Sequence, residues 1–393
     1  MALELRHKIN QVVFLTVLAA AVFILTPPQM MWETELFSRY DFYLRSVILA
    51  AAGVRWLVKT VREKRIDGIL ICFGLFALSL VISAGYNGGS LKTAVWSDAV
   101  VPATVFLVIA DAMDYDRKLA VRAVYCLFLV YIICNLAVLI RMKEEIGEFR
   151  SVYDLNSSFL GNRNCHIYYY SVFLFAGYYG FEKGYLKSRL LYLGGLSVCL
   201  VSAVIADGLT AKLALGIWIL FLLAESAGCL KKLEVRHVVF FNAAVFFGLQ
   251  YYALTGAEWL TEILELFGKN GNFGDRTPVW NACWSLFPGS PLFGYGDPDM
   301  FSLIGQIHAH SLYLQILLDR GLLGFTLFVL LIAELCSAVN RVKNRRIYNG
   351  MAAFLLILML VSQVDQIMVP TFYSLYAALI CYSAAGEVRD AEV

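Results

Sequence analysis

The sequence predicts an all-α, polytopic integral membrane protein of about 12 transmembrane helices, with a long external loop between helices 9 and 10. Three observations carry this. Apolar residues make up 60% of the 393, about 236, and twelve helices of ~20 residues each would use ~240. Charged residues reach 16%, against the ~25% of an ordinary soluble domain. Apolar runs of spanning length also recur along the chain, separated mostly by short polar connections. A soluble two-domain enzyme, a nucleic-acid binder and a disordered scaffold are excluded, and a net charge of +2 adds no pull toward polyanions. The nine cysteines show no C-x-x-C pair and no metal-ligand spacing. Most lie inside apolar runs, where a thiol behaves as a small hydrophobe.

In chain order the runs fall near 11–28, 39–58, 68–85, 94–112, 119–140, 166–181, 190–206, 212–228, 238–254, 311–335, 350–368 and 371–385. The first follows Arg6 and Lys8, but its small-residue patch Ala19-Ala20-Ala21 lies mid-run, so it reads as an uncleaved helix rather than a signal peptide. Orientation follows from Lys and Arg in short loops. With the N-terminus inside, the basic stretches 59–65, 117–118, 183–189, 231–236 and 341–346 are cytoplasmic. The opposite loops are sparse in cations apart from 141–165, which holds Arg141, Lys143, Arg150 and Arg163. Both termini are then cytoplasmic. The chain divides into helices 1–9 (1–254), the external loop (255–310) and helices 10–12 (311–393).

A loop of that length in a compact bundle is usually functional. It opens with an amphipathic stretch, Glu258 to Phe267, expected to lie as a short helix on the membrane surface. Turn residues follow over 268–274. A second helix is expected from Thr277-Pro278, with Thr as N-cap and Pro at the first helical position, ending before Pro288-Gly289.

Three features carry chemistry. The first is His310-Ser311, nine residues, then Gly321-Leu-Leu-Gly324. On one continuous helix, positions 310, 321 and 324 fall within ~60° of one another. The glycines would then let a neighbouring helix approach closely and fix the end that carries His310, where an imidazole at the water boundary suits general-base work. The second is Arg276 at the predicted helix start, a place suited to phosphate. Trp280 and Trp284 share a face that could seat lipid or a sugar, or simply pack at the interface. The third is a set of cations at membrane depth: Lys212 at an outer mouth, Arg45 as an outer-leaflet phosphate ligand, and Arg320 as a structural or gating partner. Asp297-Pro-Asp299 sits in a Gly/Pro turn where Asp is routine. His308-Ala-His310 shows no third ligand nearby in sequence. No metal is expected at either.

These residues resemble the O-antigen ligase and O-antigen polymerase superfamily of bacterial envelope glycosyltransferases, which has about twelve spans and a long late external loop. Its ligase branch is marked by His-(Asn/Ser/Gln)-x9-Gly-x-x-Gly, matched here by His310, Ser311, Gly321 and Gly324. The elements Arg276-Thr-Pro-Val-Trp280, Pro288 to Gly296 and Gly161-Asn-Arg163-Asn164 are similar to family segments. Lys212 stands where many members carry arginine, which keeps charge but loses the two-donor fork.

The resemblance implies transfer of glycan from undecaprenyl diphosphate to a sugar hydroxyl at the external face of the cytoplasmic membrane, with inversion. His310 would take the acceptor proton. Arg276, with Lys212 and further candidates Arg163, Arg45 and Trp280, would bind the donor, and no cofactor or metal would be needed. The implied partners are the undecaprenyl-diphosphate-linked glycan, a glycan or lipid-linked acceptor, membrane lipid and a chain-length regulator protein, with no nucleic acid. A polymerase joining lipid-linked repeats is favoured over a ligase acting on a lipid A core. A lipid-linked oligosaccharide flippase or secondary transporter is the rival of another class.

Overall fold

The computed structural model describes residues 2–32, 34–63, 68–146, 158–256, 262, 276–306, 308–365 and 370–390. It is 84% helical, with no strand among the described residues. The helices are α1 (Ala2–Leu25), α2 (Gln29–Trp32), α3 (Glu35–Glu63), α4 (Gly68–Asn87), α5 (Leu91–Val95) and, after a π-helical turn at Trp96–Val100, α6 (Val101–Ile146). Then follow α7 (His166–Glu182), α8 (Arg189–Ile205), α9 (Leu209–Ser226), α10 (Val235–Thr255), α11 (Arg276–Leu286), α12 (Met300–Ile304), α13 (Leu312–Asn340), α14 (Arg345–Val364) and α15 (Pro370–Asp390).

Each of the twelve apolar runs is helical over most of its described residues, the exceptions lying at run ends. Among the described residues, six helical stretches are long and apolar enough to cross a membrane: α4, the run 91–143, α9, α10, α13 and α14. The run 91–143 contains two of the predicted runs. Asp116 leaves helical geometry there (φ −152°, ψ 94°) and divides α6 into two limbs. Its carboxylate accepts the Leu119 N–H at 2.9 Å, the usual way a short acid starts a helix. Ser188 and Asn344 start α8 and α14 in the same manner.

α7 is buried on nearly every side, and α14 and α15 almost as fully. With the second limb of α6 they form the inner layer. The layer is filled by aromatic rings, among them Tyr125 on Phe173, Tyr169 on Phe372 and Phe354 on Tyr376. The outer helices α3, α8, α9 and α10 leave Val47, Leu190, Leu220 and Phe240 exposed, the pattern of a bundle with lipid outside. At the end carrying the basic loops, ion pairs tie elements distant in sequence: Lys59 and Arg389 to Asp114, Lys183 to Asp390 at 2.7 Å, and Arg345 to Glu225 at 3.2 Å.

Three expectations from sequence need correction. The helix expected from sequence to be the tenth span is not continuous from His310 to Gly324. His310 stands outside it in left-handed backbone (φ 49°), and α13 breaks at Gly321 (φ 60°, ψ −162°). The common face drawn for residues 310, 321 and 324 therefore does not exist, because a helix interrupted there loses its angular register. Nor does a neighbouring helix press on Gly321; a loop does. A Cβ on Gly321 would lie 2.4 Å from the Leu292 carbonyl. The break frees backbone groups, and the loop satisfies them. Tyr295 and Gly296 N–H groups donate to the Leu318 and Asp319 carbonyls at 2.6 and 2.9 Å, and Leu322 and Leu323 N–H donate to Pro291 and Leu292 at 2.8 and 3.1 Å. Inside a membrane such a break is tolerated only where its polar groups are paired in this way. Gly324 faces the Arg320 side chain and Ser79 of α4. The second loop helix is described from Arg276, so Thr277 lies inside it rather than capping it, and Glu258 to Phe267 lies outside the described residues apart from Glu262.

Candidate functional site at one mouth of the bundle

The end opposite the basic loops brings together segments far apart in sequence. The turn 308–310 hangs from its central peptide. The buried Trp280 indole donates to the Ala309 carbonyl at 3.1 Å, and the Ala309 N–H donates to Gln315 Oε1 at 2.8 Å. Gln315 Nε2 in turn donates to both oxygens of Asp319, at 2.8 and 2.9 Å. The two imidazoles meet edge to face with centroids 4.1 Å apart. Asp365, just past the end of α14, closes the group. One ligand-capable atom from each of His308, His310 and Asp365 lies within 4.8 Å of the others.

Arg276 stands beside this group. Its Nε donates to the Val364 carbonyl at 2.8 Å, which places the guanidinium next to Asp365. Burial pulls Arg276 below the usual arginine range, Asp365 opposes that, and Arg163 adds to it. The group stays charged at any working pH. Burial also lowers His308 and takes His310 down to about 3, with the His308 ring and the Arg276 charge adding to the effect. Both imidazoles are neutral near pH 7. For His310 the sign is that of a base buried uncharged: its contribution to stability is full above about 6.5 and is lost as pH falls toward about 3. The melting temperature should therefore drop below pH 6.5, and the drop should be smaller in His310→Asn. Parallel pH profiles for the two proteins would refute the assignment.

The other sequence-predicted residues are placed as follows. The turn before Lys212 packs on the Arg163 carbonyl, 3.2 Å from where a Cβ on Gly208 would be. Lys212 itself pairs with Asp207. Arg45 pairs with Asp41 at 2.7 Å within α3, both side chains largely buried. Trp280 has no exposed surface, so it offers no platform to a ligand in this conformation and serves to hold Ala309. Arg320 donates to the Phe76 carbonyl at 2.7 Å and stacks on the Phe76 ring, joining α13 to α4. Asp299 caps α12.

Sequence reasoning missed Asp365. Its signal was present, an acid interrupting the apolar run 350–368. It also missed a cavity of about 240 Å³ next to the kink, lined among others by Arg320, Asp98 from the π-helical turn, Asp297 and Asp319. A second space of about 240 Å³ is an apolar groove between α9, α10 and α14, floored by Val361 and Val364. Val364, whose carbonyl accepts the Arg276 bond, is among its lining residues. No family model matches the chain, and no curated protein matches it either.

Proposed function

We propose that the chain is a membrane glycosyltransferase of the bacterial cytoplasmic membrane, with about twelve spans and both termini in the cytoplasm. It would work at the external mouth on glycan carried by undecaprenyl diphosphate. The observation that carries this reading is the convergence of a neutral, half-buried histidine, a carboxylate and a half-buried arginine at the end opposite the basic loops. An acceptor hydroxyl attacks the anomeric carbon as the bond to diphosphate breaks. His310 takes the hydroxyl proton, Asp365 favours the imidazolium so formed, and Arg276 neutralises charge growing on the leaving diphosphate. Donor charge arriving at Arg276 offsets the field that depresses His310, so the base gains strength as substrate binds. The apolar groove lined in part by Val364 suits an isoprenoid tail. A polymerase joining lipid-linked repeats is preferred to a ligase, because Lys212 departs from the ligase pattern.

The test uses purified protein with lipid-linked repeat units. Arg276→Lys keeps charge but loses the planar two-donor grip. It should raise the donor needed for half-maximal rate or lower the maximal rate, leaving acceptor dependence almost unchanged. Wild-type donor dependence in Arg276→Lys would remove that residue from donor binding. His308→Ala should be far milder than loss of His310. The flippase or transporter reading is favoured by one observation, the acid-lined cavity around Arg320 inside the bundle, since ionisable groups at membrane depth commonly mark transport paths. Intact repeats crossing a vesicle without longer glycans would establish that reading instead.

A further inference from the structure

We propose that His308, His310 and Asp365 form a binding site for a borderline divalent ion, zinc in the first instance, whose occupation arrests the mouth. The geometry supplies the donor set. Two imidazoles and one carboxylate present ligand-capable atoms within 4.8 Å of one another. Around a tetrahedral zinc with bonds of ~2.1 Å, ligands sit ~3.4 Å apart, so closure needs side-chain shifts of about 1 Å. Three protein ligands leave a fourth position open to water. The mixture of imidazole and carboxylate suits zinc better than magnesium or calcium, which take oxygen throughout.

A second observation points to a ligand. Nδ1 of His310 is buried without a hydrogen-bond partner among the described residues, and Nδ1 of His308 is buried with no partner beyond the backbone of His308 itself, a residue 9% exposed. Buried imidazole nitrogens are ordinarily bonded to something. A metal would satisfy one nitrogen on each ring, and no proton need leave a neutral imidazole to bind it.

Arg276 and Arg163 oppose a cation here, and the Asp365 charge offsets one of them. The balance gives a reversible site rather than a structural one. Binding and consequence separate cleanly. Metal capture needs only the three ligands, whereas inhibition rests on the proposed function, in which the metal would occupy the lone pair His310 uses as a base.

The experiment starts from metal-stripped, detergent-purified protein freed of any histidine tag. Cobalt(II), a visible reporter for zinc sites, should give the intense d–d bands of low coordination, and zinc should abolish them. His308→Gln and Asp365→Asn should each weaken cobalt binding by about tenfold or more. Either variant suffices if the other does not fold, as judged by gel filtration and melting. A cobalt spectrum like that of the protein-free buffer, or folded variants that titrate like wild type, overturns the proposal. In the transfer assay, zinc should slow wild type, with its midpoint raised about tenfold or more in His308→Gln. Equal inhibition of both proteins overturns the inhibitory role. If no preparation transfers glycan, the glycosyltransferase reading fails while the cobalt titration still decides the site.

Discussion

Replacing His310 by alanine is expected to lower glycan transfer by about 10²–10⁴-fold, the usual worth of a positioned general base. Expression and membrane insertion should be unchanged. The turn is held through the Ala309 peptide by Trp280 and Gln315, so the imidazole can be removed without losing its support. His310 has φ 49°, backbone that asparagine adopts with less strain than most residues. His310→Asn is therefore the cleaner comparison, and it should be as inactive as alanine. Turnover near the wild-type rate in either variant would exclude His310 as the base. Added EDTA should leave the wild type active.

The second large effect concerns folding. Gly321→Ala should destabilise the protein by about 3 kcal/mol or more, since φ 60° with ψ −162° belongs to a region reached almost only by glycine. The added methyl would also meet the Leu292 carbonyl at 2.4 Å. Thermal melting in detergent is the measurement. Gly305→Ala is the control: that residue also has positive φ, but open space surrounds it, so strain alone should cost about 1 kcal/mol. Equal losses at both positions would show that the packing of loop 290–296 against the kink contributes nothing.

Much of the helical layout was legible because apolar periodicity and length are local properties. The basic loops pointed to one end, and the ion pairs of Asp114 and Asp390 gather there. What the sequence could not display was the break at Gly321, since a glycine in an apolar run reads equally well as a packing notch or as a kink. The loop that pairs with the freed backbone lies about 30 residues upstream, and such non-local pairing leaves no periodic trace. The candidate site divided in the same way. His310 and Arg276 stood out through their surroundings, whereas Asp365 lies 55 positions from His310 and joins it only when α14 ends beside the turn. Topology, not sequence spacing, brings a third ligand-capable side chain to His308-Ala-His310.

The peptide of Ala309 carries a wider consequence. One donor and one acceptor fix it, both through backbone atoms, and the flanking side chains take no part in that attachment. The mount is thus indifferent to what it displays. Evolution, or an engineer, could exchange the groups at 308 and 310 and re-tool the mouth's reactivity without redesigning the bundle beneath it. The limit on such exchange would come from the tight backbone at 310, which favours small polar residues over branched ones.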